Sequence, residues 1–272
     1  MDLPAPRLIA LDLDGTLITP DNRIPRAHRD ALARLEELGV AVAIVTGRPV
    51  LSTRPIHRAL GLHGPVVCFN GVWAGDPNGP AIHSDMLDAD EVAGILPELV
   101  CRERGSISLY PDVERWIMDQ LCPTTAGWQQ LYGVPIQLDP ALRSDWSAPS
   151  CKILYADEPE QIAELCPALQ ARFAERYHIT TSQNDRLEIT RHGVTKDRGL
   201  AALADHLGIA REAVWAVGDG ANDIEMLQWA GAGLAMGHAA PAVRAAAKHV
   251  LPGIDAAGLQ VLPELVIAAR RG

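Results

Sequence analysis

Residues 7–17, RLIALDLDGTL, open as an apolar run and end in charge. Leu8 to Leu11 has the length and composition of a buried strand. The run stops at Asp12 and Asp14, with only Leu13 between them; Gly15 then permits a sharp turn and Thr16 adds a hydroxyl. Carboxylates at the end of a buried strand are costly to desolvate unless something compensates them. A hard cation such as Mg²⁺, which takes oxygen ligands, would do so. Taken alone, the stretch also reads as a strand followed by an ordinary Asp-Gly turn. Three later stretches that end in the same way favour a site.

The first of these comes after a helix that Pro25 can open, that carries Ala31, Leu32, Leu35 and Leu38 at helical spacing, and that Gly39 ends. Val40 to Val45 is a continuous apolar strand running into Thr46-Gly47-Arg48. Pro49 opens a second helix ending near Gly61, and Val66 to Phe69 is a short strand stopping at Asn70-Gly71. Apolar strands separated by helices imply a parallel sheet. The pattern changes from Val72 to about Thr190, where strands become amphipathic and loops richer in Pro, Gly and Asp. Strands are expected at Ala81 to Ser84, Ser106 to Tyr110, Glu114 to Met118, Lys152 to Tyr155, Tyr177 to Thr181 and Arg186 to Thr190. Helices are expected at Ala89 to Glu103 and Glu158 to Glu175. This segment reads as an inserted α+β domain with an antiparallel sheet.

The parallel pattern returns after Thr195. A helix is expected from Lys196 to Leu207, and the strand Ala213 to Val217 ends at Gly218-Asp219-Gly220-Ala221-Asn222-Asp223. A helix carrying Ile224, Met226, Leu227 and Ala230 comes next. Short strands near Leu234 and Val250 and helices over 240–247 and 257–269 complete the chain. The expected fold is α/β: a Rossmann-like core from 1–72 and 191–272, discontinuous in sequence, with an inserted α+β domain at 73–190.

Composition bounds the function. The 272 residues suffice for two ordinary domains. A formal net charge of −10 argues against nucleic acid and against an anionic membrane surface, and requires a local cation or positive pocket for any anionic substrate. The five cysteines are scattered with no C-x-x-C pair, which fits a reducing compartment better than a disulfide scaffold or a zinc site. No signal pattern or bilayer-length apolar run stands out, so the expected location is cytoplasmic.

Sites in open parallel α/β sheets form at the carboxyl ends of strands. Here those ends carry Asp12 and Asp14, Thr46, Asn70, and Asp219, Asn222 and Asp223; Lys196 begins a helix, where free N–H groups also favour an anion. Neither acidic loop has the Gly and Glu spacing of an EF-hand, and there is no G-x-x-x-x-G-K-[ST] or H-E-x-x-H. Only three of the 24 basic residues are lysines, Lys152, Lys196 and Lys248.

In order and spacing these stretches resemble the haloacid-dehalogenase-like (HAD) hydrolase superfamily, and the long insertion resembles its Cof-type phosphatase branch, with an α/β cap domain between the second and third motifs. The resemblance rests on Asp12-Leu13-Asp14-Gly15-Thr16, Thr46-Gly47-Arg48, Lys196 and Gly218-Asp219-Gly220-Ala221-Asn222-Asp223. It implies a Mg²⁺-dependent phosphomonoesterase acting on a sugar phosphate, nucleotide or cofactor phosphate through an aspartyl-phosphate. Asp12 would be the nucleophile and Asp14 the acid and base. Asp12, the Asp14 carbonyl, Asp219 and Asp223 would hold the metal. Thr46, Gly47, Lys196 and Asn222 would hold the phosphoryl group. Arg48 either pairs with the phosphate or caps a strand end. Asn70 and Gly71 either touch substrate or form the turn into the cap. Glu188 and Thr190 either line the cleft or form a solvated strand face. Asp197 departs from the Gly usual after the Lys, which bears on leaving-group preference. The chain is expected to act alone or as a homodimer. A sugar phosphomutase on the same scaffold and a non-turnover phospho-accepting sensor are the alternatives; Asp14 argues against the second, since an acceptor needs no acid/base partner.

Overall fold

A computed structural model describes residues 3–256 and 258–271. The described chain divides into two compact units, one of residues 1–48, 54–84 and 195–272 and one of 49–53 and 85–194. Met1, Asp2, Ala257 and Gly272, which the expected core ranges include, lie outside the described residues.

In the first unit β1 (Leu8–Leu11) is fully buried, α1 spans Arg26–Glu37, and β2 (Ala41–Ile44) comes after it. Pro25 sets the start of α1, and Gly39, at φ +69°, takes the left-handed conformation that ends it. After α2 (Val50–Ala59) comes β3 (Val66–Cys68). β3 departs from the expected parallel sheet. Its ladder is antiparallel, with β4 (Trp73–Gly75), which pairs in turn with β5 (Ala81–Ser84). One parallel bridge, Val45 to Val67, ties β3 to the strand before it. The chain turns back on itself straight after Asn70, so β4 takes the edge of β3 opposite that bridge.

The second unit contains α3 (Ala89–Val100), β6 (Ser106–Leu109), β7 (Ile117–Met118), α4 (Trp128–Tyr132), β8 (Gln137–Leu138), β9 (Ile153–Ala156), α5 (Pro159–Phe173), β10 (Tyr177–Gln183) and β11 (Arg186–Arg191). Asp88 caps α3 by accepting from the Glu91 N–H while the Glu91 carboxylate accepts from Asp88 N–H. The six strands run in the order β10-β11-β9-β6-β7-β8, antiparallel except for the β7–β8 pair. The strand expected from Glu114 shrinks to Ile117–Met118, since Asp112 accepts from Glu114 N–H and Arg115 Nε and folds those residues into a turn. Along β6, β9 and β11 the period of two sorts side chains between faces. Ile107, Leu109, Ile153, Tyr155, Leu187 and Ile189 join Val92, Ile95 and Leu99 of α3 and Ile162, Leu165 and Leu169 of α5 in one core. Ser108, Lys152 and Glu188 take the other face, also buried, with Lys152 Nζ 2.9 Å from Glu188 Oε1.

The first unit resumes with α6 (Lys196–His206), β12 (Val214–Gly218), α7 (Ile224–Trp229), β13 (Ala232–Ala235), α8 (Pro241–Ala246) and β14 (His249–Val250). The helix expected over 257–269 starts on a residue outside those described. The described chain there forms a 3₁₀ turn, Gly258–Val261, and then α9 (Leu262–Ala269). Five strands form one parallel sheet in the order β14-β13-β12-β1-β2. Leu11 stands opposite Ile44 on one side and Val217 on the other. The strand order therefore reverses at β1, where crevices for ligands open. The residues next after these three strand positions emerge side by side on one edge.

Candidate active site

That edge collects the charged residues. Asp12 succeeds β1, donates its N–H to Val217 O at 3.0 Å, and is 6 % exposed. Gly15 turns the chain at φ +90°, and a Cβ there would fall 2.3 Å from Asp219 Oδ2, so Gly is required twice over. Thr16, fully buried, donates from Oγ1 to Asp219 Oδ1 at 2.8 Å. Asp223 organises its own loop by accepting at Oδ2 from Asp219 N–H (2.9 Å) and Gly220 N–H (2.8 Å).

Lys196, at the first position of α6, reaches across with Nζ to Asp12 Oδ1 and Asp223 Oδ1, both at 2.6 Å. Carboxylate oxygens of Asp12, Asp219 and Asp223 lie within 4.8 Å of one another. Burial works against the charge on Lys196, but the two acids outweigh it and hold the ammonium above its ordinary range. Burial also drives the Asp12 carboxyl well above its usual value; Lys196 opposes this while Asp223 and Asp14 reinforce it. Asp219 is raised by burial against the Thr16 hydrogen bond. The carboxyls are raised first by burial and then by one another, whereas the lysine is raised by the two acids it serves.

Thr46 is buried at the end of β2, and its Oγ1 accepts from Arg48 N–H at 3.1 Å. A hydroxyl that accepts from an amide keeps its own proton to donate. Arg48 faces Asp14 as a fork, Nε to Oδ2 at 2.7 Å and a terminal nitrogen to Oδ1 at 2.5 Å, and also donates to Asn22. Of the readings open for Arg48, the structure shows a third: it holds the second carboxylate of the pair. Phe69, Asn70 and Gly71 form a left-handed turn at φ +54°, +56° and +103°. The Asn70 N–H donates to Thr46 O, its Oδ1 accepts from Asn222 Nδ2 at 2.9 Å, and its side chain lies where a Cβ on Gly47 would collide. A Cβ on Gly71 would fall 2.1 Å from Thr195 O.

The structure thus brings Asp12, Asp14, Thr46, Gly47, Arg48, Asn70, Gly71, Lys196, Asp219, Asn222 and Asp223 to one region of the first unit. Glu188 and Thr190 belong to β11 of the second unit, where both are buried. Asp197 leaves Oδ1 buried with no hydrogen-bond partner among the described residues. Sequence reasoning passed over the Thr16–Asp219 bond, the Arg48–Asp14 fork and Asn22. The hydroxyl after D-x-D-G was the one available signal, since side-chain pairs separated by 26, 34 and 203 residues leave no local pattern.

A model of the haloacid dehalogenase-like hydrolases matches residues 9–260. The chain belongs to this family. HMP-PP phosphatase of Enterobacter sp. (strain 638) is similar to it at 32 % identity over 243 residues, 89 % of this chain and 88 % of the relative. Among solved structures, a haloacid dehalogenase-like hydrolase from Bacteroides thetaiotaomicron superposes with a TM-score of 0.86 at 27 % identity, over 96 % of this chain and 99 % of that one. A sugar phosphatase of HAD subclass IIB shares the fold, with a TM-score of 0.77 at 22 % identity over 95 % and 98 % of the two chains. No helix among the described residues is long and apolar enough to cross a membrane.

Proposed function

We propose that this HAD hydrolase is a Mg²⁺-dependent phosphatase that transfers the phosphoryl group of a small metabolite first to Asp12 and then to water. The observation that carries the reading is the cluster of Asp12, Asp219 and Asp223 with Lys196 bonded to the first and last of them. Hard carboxylate oxygens, buried and in excess over their positive partner, suit a divalent ion of the Mg²⁺ type. Asp12, Asp219, Asp223 and the Asp14 carbonyl are the groups assigned to hold it. Bound there, such an ion neutralises charge on the phosphoryl oxygens, which phosphoryl transfer demands.

The chain's own residues supply the rest. Asp12 attacks phosphorus as the bond to the leaving oxygen breaks, and Asp14 gives that oxygen a proton. Asp14 then takes a proton from a water that attacks the aspartyl-phosphate, freeing phosphate and restoring Asp12. For this, Asp14 must release at least one of its two bonds to Arg48. Lys196 has two N–H groups on carboxylates and a third for a phosphoryl oxygen; Thr46 donates its hydroxyl proton to another. Asn222, Gly47, Asn70 and Gly71 shape the anion's surroundings. Leaving-group selection is assigned to the insertion, which spans 85–194 once the strands at 73–84 are counted with β3 in the first unit, with Glu188 and Thr190 the first residues to test. HMP-PP heads the substrates to try, from its relatives, ahead of sugar phosphates, nucleotides and cofactor phosphates. We place the enzyme in the cytoplasm.

The test is phosphate release from HMP-PP, p-nitrophenyl phosphate and a metabolite panel, with and without Mg²⁺, for wild type and Asp12→Asn. Mg²⁺-dependent turnover that drops on the order of 10⁴-fold in the variant supports the reading. Turnover that survives the substitution, or that ignores chelation, overturns it.

A further inference from the structure

His238 belongs to none of the motifs that carry the site. It lies just beyond β13, whose continuation is pinned by Met236 N–H donating to Gly218 O at 3.0 Å. Its Nδ1 accepts the Ile254 N–H at 3.2 Å. An imidazole nitrogen that accepts an amide proton must present its lone pair, so the ring's own proton sits on Nε2. Nε2 lies 3.5 Å from Asp219 Oδ2. That is long for a hydrogen bond, but the oxygen is the one that Thr16 leaves open, since Thr16 donates to Oδ1.

We infer that His238 is a positioning residue: the Ile254 amide fixes its tautomer, and its Nε2–H, with the Thr16 hydroxyl, holds the Asp219 carboxylate in the orientation that receives the divalent ion. The inference rests on the reading of Asp219 as a metal ligand. Groups that orient a ligand typically contribute about 10- to 100-fold to metal affinity, and the long, partly open contact places His238 at the lower end of that range.

Two substitutions separate this role from that of a loop cap. The Oδ1 of Asn overlays Nδ1 of a histidine, and the Nε2 of Gln overlays its Nε2. His238→Asn therefore keeps an acceptor for Ile254 and loses the donor to Asp219, while His238→Gln does the reverse. The measurement is Mg²⁺ binding by calorimetry in the absence of substrate, with thermal melts of each metal-free variant. The expected result is a Kd about tenfold weaker in His238→Asn at an unchanged melting temperature, and a near-wild-type Kd in His238→Gln at a lowered one. At saturating Mg²⁺ the KM for p-nitrophenyl phosphate stays unchanged in both. Wild-type affinity in His238→Asn overturns the role of His238 alone. Absence of Mg²⁺ binding in the wild-type protein removes Asp219 as a ligand, and this inference with it.

Discussion

The two units bury charge in opposite ways. On the polar face of the antiparallel sheet, Lys152 Nζ stands 2.9 Å from Glu188 Oε1 and 5.7 Å from the centre of the Tyr110 ring. At the carboxyl edge of the parallel sheet, one Lys196 serves Asp12 and Asp223 while Asp219 stands within the same cluster. A matched buried pair is close to neutral for stability; an unmatched buried charge is a large penalty unless a ligand removes it. An acid paired with a lysine needs no ligand to hold its charge; three acids around one lysine leave charge for a ligand to take up. Burial of acids alone does not separate the two; three acids gathered around a single lysine mark the parallel-sheet edge.

The sharpest way to break this contrast is to remove each lysine. Lys196→Ala strands two acids and should destabilise the metal-free protein by about 3–5 kcal/mol in urea denaturation, as should Lys152→Ala. Replacing both partners distinguishes them. Lys152→Met with Glu188→Leu should return to within about 1 kcal/mol of wild type, whereas Lys196→Met with Asp12→Leu should not, since Asp223 stays behind. Equal recovery in both would erase the difference between the units.

A smaller effect comes from the ion. Mg²⁺ at a hundred times its Kd should stabilise the protein by about 2.7 kcal/mol, read as a rise in melting temperature that Asp219→Asn abolishes and that Lys152→Met with Glu188→Leu leaves intact. Smaller again is a pair of glycine substitutions. Gly71→Ala meets both a φ of +103° and the Thr195 carbonyl, and should cost about 1–3 kcal/mol. Gly133→Ala in the second unit, at φ +64° with open space around it, should cost about 1 kcal/mol.

The smallest effect is the share of the pH dependence that two buried histidines of the first unit contribute. Burial lowers the pKa of His28 and His57 below the ordinary 6.5. Between 6.5 and the folded value the unfolded chain binds protons that the folded chain refuses, so unfolding free energy falls as pH drops. Unfolding free energies from urea curves should be lower at pH 5.5 than at pH 7.5 by the part these two histidines contribute. His28→Gln should flatten the slope.

Much of this is legible in the amino-acid sequence. β1, β2 and β12 are continuous apolar runs that stop at Asp12, Thr46 and Asp219, and parallel strands that stop in polar residues place them on one edge. The period-two faces of β6, β9 and β11 were equally plain. Short elements were not: Trp73–Gly75, Trp128–Tyr132 and Gln137–Leu138 are too brief to display a period. Nor was the pairing of β3, which looks like its parallel neighbours but takes a hairpin partner. In the site, residue types pointed to the acids and the lysine. Which partner each would take was hidden, because Arg48 could reach a phosphate or a carboxylate with the same fork.

The left-handed turn at Phe69–Gly71 has a dynamic consequence. Amides in a surface turn ordinarily exchange with solvent quickly. Those of Phe69 and Asn70 are instead tied to Arg48 O and Thr46 O, and Asn222 fastens the Asn70 side chain. Deuterium should therefore enter this turn about as slowly as it enters the central strands. The edge proposed to meet the phosphoryl group is then as stiff as the sheet beneath it, and tolerance for different leaving groups has to be sought in other parts of the molecule.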